Sequence, residues 1–418
     1  MIGVSQISVS AYRGGGHAAA PVNFDFVSTW DTTQAGSASD TVVLPLLSGG
    51  TYSGTIDWGD GNSDGLSYAN RTHVYASSAI YTITISGTIG GFQFNNGGDK
   101  AKITDISNWG TLDITTDRVF YGCTNLDVSA TDAPTFTTAT LRDFFKSCSS
   151  LTTPDFSNWD TSGITSMETM FEGCTNFNGN ITTWDTSNVT RFNRGTTVGM
   201  FTNCSYFNQP IGSWDVSAET NMTAMFSSCQ RFNQDLSNWY MDNKTSVSGM
   251  FRNCYLFDNA GSDGLGNWNL SNVTNFVLMF QFASVFNRDI SGWDTSKATS
   301  FNSMFAYASA FDRPIGAWNT SLVTNMFKML EGATSFDQDI SNWDINQVSN
   351  LTSFMSAGGG VSTANYDALL IAWDAQGAMS FSGTAHFGSS KYTAGGAAEA
   401  ARTSLISKWG GIIDGGPA

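Results

Sequence analysis

Tryptophan recurs along this chain on a beat of 25 residues. Trp109, Trp159, Trp184, Trp214, Trp239, Trp268, Trp293, Trp318 and Trp343 are separated by steps of 50, 25, 30, 25, 29, 25, 25 and 25 residues. Each sits in a variant of one phrase, with FNQDLSNW, FNRDISGWDTS and FDQDISNWD among the fullest copies. The first step is a double one, and the steps of 30 and 29 are single repeats carrying short insertions. A unit this short cannot bury its own apolar face and must stack on its neighbours. The spacing therefore predicts an array of stacked repeats with a broad outer surface, which suits binding better than catalysis.

Within one unit, from Trp159 to Phe177, the apolar residues Met167, Met170, Phe171, Cys174 and Phe177 fall at i, i+3, i+4, i+7 and i+10. That stripe predicts a helix of about two turns. Ile181, Ile211, Leu236, Ile290, Ile315 and Ile340 lie three residues before tryptophan, in a segment that reads as one short strand. The expected architecture is an α/β solenoid of leucine-rich-repeat type, about ten rungs of short parallel strand plus short helix. The tryptophan column itself has two readings: packing between rungs, or an exposed ladder of rings stacking on the sugars of a linear polymer.

Six cysteines, Cys123, Cys148, Cys174, Cys204, Cys229 and Cys254, follow the same beat, one per unit. In the next three units the slot holds Ala283, Ala308 and Ala333. A position that accepts Cys or Ala asks for a small buried side chain, so the cysteines are expected in the core as free thiols rather than in disulfides. With no CxxC and only three histidines, the chain offers no zinc pattern. No cofactor is expected.

Residues 22–98 lack the period. Short alternating runs over Thr41–Leu46, Tyr52–Trp58, His73–Tyr75 and Ile80–Ser86, with a GDGNSDG turn, predict an N-terminal all-β sandwich domain. Trp58-Gly59-Asp60-Gly61, His73-Val74-Tyr75 and Tyr81-Thr82-Ile83-Thr84 resemble the motifs of the polycystic-kidney-disease (PKD) type of immunoglobulin-like domain. Asp57, Asp60 and Asp64 are weak calcium candidates, since Asp-Gly turns need no metal. Residues 1–21, with GGG and AAA runs, read as a flexible or partner-ordered arm. Residues 99–355 form the repeats, and 356–418 a C-terminal capping region.

The two insertions, Arg191–Gly199 and Asn259–Gly266, are the expected ligand-binding loops, because insertions in repeat arrays cluster on functional surfaces. Arg191, Asn193, Arg194 and Asp263 are the candidate contacts. The chain carries a net charge of −16 and only 13% charged residues, against about 25% in ordinary soluble chains. Such a balance disfavours nucleic acid, which needs Lys and Arg to displace counterions. No stretch approaches the ~20 apolar residues of a membrane span, and the opening MIGVSQISVS reads poorly as a signal peptide.

The consensus W-D-T-S-x-V-T-N-M-x-x-M-F-x-x-C-x-x-F-N-Q-D-I-S resembles the BspA-type leucine-rich-repeat surface proteins, over about residues 100–355. That resemblance implies adhesion or recognition, in bacterial adhesins and in related bacteriophage proteins, and transfers no catalytic residue. Acids such as Asp235 and Asp289 recur with the repeat, which points to structure rather than to a catalytic pair. The expectation is a non-enzymatic virion surface protein, a fibre, spike or decoration. It would recognise a host-surface glycan or protein and touch other virion proteins through the arm, without membrane insertion, and it is a candidate homo-oligomer. The alternative is a secreted or surface-attached bacterial adhesin, with a polysaccharide-degrading enzyme a distant third.

Overall fold

The computed structural model describes residues 24–376, 381 and 383–418, and the arm expected over residues 1–21 lies outside them. The N-terminal region is all-β: β1 (Phe26–Asp31), β2 (Thr41–Val43), β3 (Leu46–Asp57), β4 (Ser63–Gly65), β5 (Thr72–Val74) and β6 (Ile80–Phe92). Strand β1 alternates buried and half-buried residues and pairs antiparallel with β6, setting Phe26 opposite Ile85 and Ser28 opposite Ile83. The GDG turn after β3 needs glycine at Gly59, where φ is +79° and a Cβ would lie 2.3 Å from the Thr82 carbonyl oxygen.

The self-contained sandwich ending at residue 98 does not form. The main sheet runs on through β7 (Ile103–Asn108), β8 (Leu112–Ile114), β9 (Asp127–Val128) and β10 (Thr135–Phe136). β7 pairs antiparallel with β1, while β8 adds parallel to β6, β9 to β7 and β10 to β8. β2 and β5 pair antiparallel over three residues in a separate two-stranded sheet. The physical reason is that β1 and β6 leave open edges, and the first repeat segments supply strands to cover them. The crossing is pinned by two buried charges. Lys102 Nζ donates to the carbonyls of Ala38 (2.8 Å) and Thr41 (2.7 Å), and Asp99 accepts from the amides of Ser37 and Val43, both at 2.6 Å.

The α/β solenoid is also corrected. Between residues 137 and 362 the chain contains no α-helix, and its only strands are β11 (Asn193–Arg194) and β12 (Val198–Gly199). No strand-plus-helix rungs exist. The stripe read as a helix does bury Met167, Met170, Phe171, Cys174 and Phe177, but its backbone is a run of turns. Left-handed residues recur four apart: Asp143 and Ser147, Thr169 and Gly173, Ala224 and Ser228, Leu278 and Phe282, Ser303 and Tyr307, Lys328 and Gly332. Each one breaks the i→i−4 pattern and turns an amide towards the next repeat. Thus the amides of Leu141, Asp143, Phe145 and Ser147 donate to the carbonyls of Ser166, Glu168, Met170 and Glu172 at 2.7–2.9 Å. The amides between them, at Phe144 and Lys146, close local turns, as does that of Cys148 beyond. The segment before tryptophan likewise stays outside any strand, and parallel pairing between units shrinks to single bridges such as Ser246↔Asn275 and Asn275↔Ser300.

Side chains complete the stacking. Phe171, Phe201, Phe226, Phe251, Phe280 and Phe305 form a column of parallel rings 5.7–5.8 Å apart. Phe177, Phe207, Phe232, Phe257, Phe286, Phe311 and Phe336 form a second, at 5.9–6.1 Å. The repeat tryptophans are buried, which decides their role: packing, not an exposed sugar ladder. From Trp184 to Trp343 each indole donates its N–H to a carbonyl of the preceding repeat, at 2.7–3.2 Å. The six cysteines are free and buried, and Cys148, Cys174, Cys204, Cys229 and Cys254 each aim Sγ at a phenylalanine carbonyl one repeat back.

After the last repeat come α1 (Thr363–Asp374), β13 (Gly383–His386), α2 (Ala397–Trp409) and β14 (Gly410–Ile413). β13 is parallel to β14, and the His386 carbonyl accepts from the Met355 amide at 2.8 Å, covering a donor that the final turn run presents.

Candidate functional site

The turn runs line up into one face of the stack. Their inward positions vary little, Met, Phe and Cys or Ala with Phe144 and Leu330 as departures, whereas their outward positions change from repeat to repeat. At the N-terminal end that face is charged. Asp143, 1% exposed at its side chain, is a hub: Arg118 Nε lies 3.1 Å away, Arg194 Nη1 3.6 Å and Lys146 Nζ 3.7 Å. The two arginines face Oδ2, and Oδ1, which faces Lys146, also accepts from Thr169 Oγ1 at 2.6 Å. Around it, Arg142 pairs with Asp117 (2.7 Å), Lys146 with Glu172 (2.6 Å) and Arg191 with Glu168 (3.3 Å).

The first insertion lies within this cluster. It folds as the β11–β12 hairpin, with Arg194 opposite Val198. Arg191 and Arg194 stay 70% and 53% exposed, their contacts made through Nη1, so most of each guanidinium's five donors face solvent. Asn193 is different. It is buried, with its amide nitrogen bonded to the Asn221 carbonyl, and so anchors the hairpin instead of presenting itself to a ligand. Beneath lies Glu219, whose carboxylate accepts the amides of Phe192 and Asn221 at 2.9 Å. Burial pushes its carboxyl up, against the pull of those amides. Lys244 Nζ donates to the carbonyl of Val216 at 2.8 Å and to that of Glu219 at 2.5 Å; burial draws this lysine down to about 8.

Beyond the hairpin the outward side chains become small. Thr196, Thr197, Thr223, Ala224, Ser227, Ser248 and Gly249, closed off by Arg252 and Leu278, line a depression of about 140 Å³. Sites that engulf a small molecule occupy roughly 300–1,000 Å³, so this one is too small to enclose a ligand. Further on the face turns apolar: Phe282 and Tyr307 stack with centroids 4.8 Å apart, and Lys328 sits over the Phe327 ring. Larger depressions of about 320 Å³ at Gly49, Thr88 and Asp113 and about 300 Å³ at Thr138, Asp160 and Gly163 are lined by no cation.

Asp263 is not part of this arrangement. It lies in the second insertion, between the phenylalanine and tryptophan columns, where it accepts from the Asp289 amide at 3.0 Å and approaches Arg288 at 3.7 Å. The calcium candidates are not gathered either. Asp57 caps Gly59, Asp60 holds Asn62 and His73, and Asp64 accepts from the Trp58 indole. Among the described residues no group of three or more His, Cys, Asp or Glu is placed to hold a metal. The repeating acids are turn formers. Asp160, Asp185, Asp215 and Asp294 each accept the amide of a serine two residues on, and the serine hydroxyl, ahead of that amide, holds their carboxyls below the ordinary range.

Sequence reasoning picked out Arg191 and Arg194 through the insertion. It missed Arg118, Arg142, Lys146, Arg252, Phe282 and Tyr307, which carry no motif. Aligning the units and asking where outward positions depart from the consensus would have exposed them.

The fold and the face together define a class: a repeat protein of stacked, turn-built 25-residue units with a composite outer surface. Family models agree. The chain matches the family described as "Mycoplasma protein of unknown function, DUF285" over residues 92–195, 139–263 and 255–367, more than half its length, and it belongs to that family. The match accords with the BspA-type repeat resemblance. No curated protein and no solved structure matches the chain.

Proposed function

We propose that this is a non-enzymatic recognition protein, displayed on a surface, that holds its ligand on the turn face. The observation carrying this reading is the contrast within each turn run. Inward residues vary little, while outward ones assemble a charged cluster, a hydroxyl-lined depression and an aromatic stack. A scaffold alone has no need of that variation. A non-enzymatic role is supported by the recurring acids being engaged in Asp-Ser turns.

The setting proposed first is a virion fibre, spike or decoration, with the N-terminal β region and the arm turned towards other virion proteins, and a host-surface glycan or protein as ligand. The family description, drawn from a cellular bacterium, favours a second setting, a bacterial cell-surface adhesin. Among the described residues no helix is long and apolar enough to cross a membrane. The test is binding of labelled protein to intact candidate cells before and after periodate oxidation of surface sugars. Saturable binding is expected, and its absence on every candidate cell sinks the reading. Detection in purified particles or in cell envelopes separates the two settings.

A further inference from the structure

We propose that the ligand of the turn face is a linear oligosaccharide bearing carboxylates. This rests on the recognition reading above and names its ligand class. In the proposed pose an acid group lies against Arg191 and Arg194. The sugar chain crosses the threonine- and serine-lined depression, and a later ring lies on the Phe282–Tyr307 stack.

Three observations converge. The first is charge. On a chain of net charge −16, an anionic polymer is repelled by most of the surface. Here five cations, Arg118, Arg142, Lys146, Arg191 and Arg194, stand among four carboxylates, Asp117, Asp143, Glu168 and Glu172. The pairing neutralises the interior of the patch. The outermost cations, Arg191 and Arg194, remain more than half exposed, with planar forks that match a carboxylate.

The second is the depression. Thr196, Thr197, Thr223, Ser227 and Ser248 line it with hydroxyls; Ser248 donates to the Val277 carbonyl and Thr223 pairs with Ser246, each keeping acceptor capacity, so the lining suits the hydroxyls of a sugar. Its 140 Å³ matches a partly seated ring rather than an enclosed ligand. The third is the aromatic stack. Tyr307 is 36% exposed, and it leans over Gly332, where any side chain would meet its ring. With Phe282 parallel to it at 4.8 Å and Gly332 close to the ring, Tyr307 presents an apolar edge for the C–H groups of a sugar.

A peptide docking as an added strand fits less well. That mode needs a free backbone edge, and in this face alternate amides are already given to the next repeat, as from Ala224 to Ser248 and Gly249 to Val277.

The experiment uses the full chain on an array of uronate- and sialate-bearing oligosaccharides, each printed beside its carboxyl-reduced or desialylated counterpart, with acidic peptides as competitors. At least one carboxylate chain is expected to bind, at least tenfold more tightly than its neutral counterpart. The double variant Arg191→Gln/Arg194→Gln should lose at least tenfold, with only a small fall in melting temperature, because each guanidinium reaches Glu168 or Asp143 through Nη1 alone and stays more than half exposed. Tyr307→Ala should weaken longer chains and spare the shortest binders. Preference for neutral chains, full binding by the double variant, equal competition by acidic peptides, or no carboxylate chain bound would each overturn the proposal. If cells are still bound in those cases, the recognition reading survives. If they are not, both fall.

Discussion

The units closed by cysteine, from Cys148 to Cys254, and the three closed by Ala283, Ala308 and Ala333 share one interior. Phe226 and Phe251 stack at 5.8 Å in the first group, and Phe280 and Phe305 at 5.7 Å in the second. Trp239 and Trp318 each donate to a carbonyl of the previous unit, at 3.1 and 3.2 Å. The thiol is dispensable because its acceptor is already satisfied. Cys254 Sγ reaches the Phe226 carbonyl, which also takes the Cys229 amide at 2.9 Å. Outside, the two groups diverge. The first carries the ion pairs and the hairpin, the second the rings of Phe282, Tyr307 and Phe327. Stacking constrains what faces in, and leaves what faces out free to specialise.

If the interior is shared, removing an indole should cost the same in both groups. Trp239→Ala and Trp318→Ala should each destabilise by about 3–5 kcal/mol, read from denaturant midpoints. A gap of several kcal/mol between them would break the comparison. On the outer face the groups should differ. Asp143→Ala strands Arg118 and Arg194, while Lys146 keeps Glu172, and because those cations reach water the cost should be about 2 kcal/mol, below that of a fully buried pair. Ser303→Ala, at the same position of the turn run, should stay within about 0.5 kcal/mol.

The thiols sharpen the contrast with pH. Burial raises all six above their ordinary value. Their contribution is therefore complete below the unfolded thiol pKa and is lost as pH rises past it. Each thiol should add up to about 1.4 kcal/mol per pH unit to the alkaline slope. Cys229→Ala should flatten that slope by one such step, and nothing comparable can be removed from the alanine units. Urea melts at pH 8, 9 and 10 measure it. The left-handed glycines offer a further contrast. Gly173→Ala should cost about 1 kcal/mol for its backbone alone. Gly332→Ala should cost more, because its Cβ would come within 2.6 Å of the Tyr307 ring. Equal costs at the two glycines would mean that the ring yields freely.

Much of the interior was legible. The 25-residue beat placed the tryptophans, and the Cys-to-Ala exchange identified a small buried slot. The site was legible only where the beat broke: Arg191 and Arg194 stand on an insertion, whereas Arg118, Lys146, Phe282 and Tyr307 occupy regular positions and announce nothing. The insertion rule also selected Asn193, which is buried, and Asp263, which pairs elsewhere.

By itself, then, the sequence determined which side chains point inward, because apolar spacing controls burial whatever the backbone does. Only the tertiary structure decided the backbone. A stripe at i, i+3, i+4 and i+7 is satisfied equally by a helix and by a run of turns with a left-handed residue every fourth position. Left-handed φ at Leu278, Phe282 and Tyr307 is unfavourable for such side chains in isolation. It is stabilised here by the neighbouring repeat, whose carbonyls accept the amides that the turns release. Those acceptors exist only once the repeats have stacked.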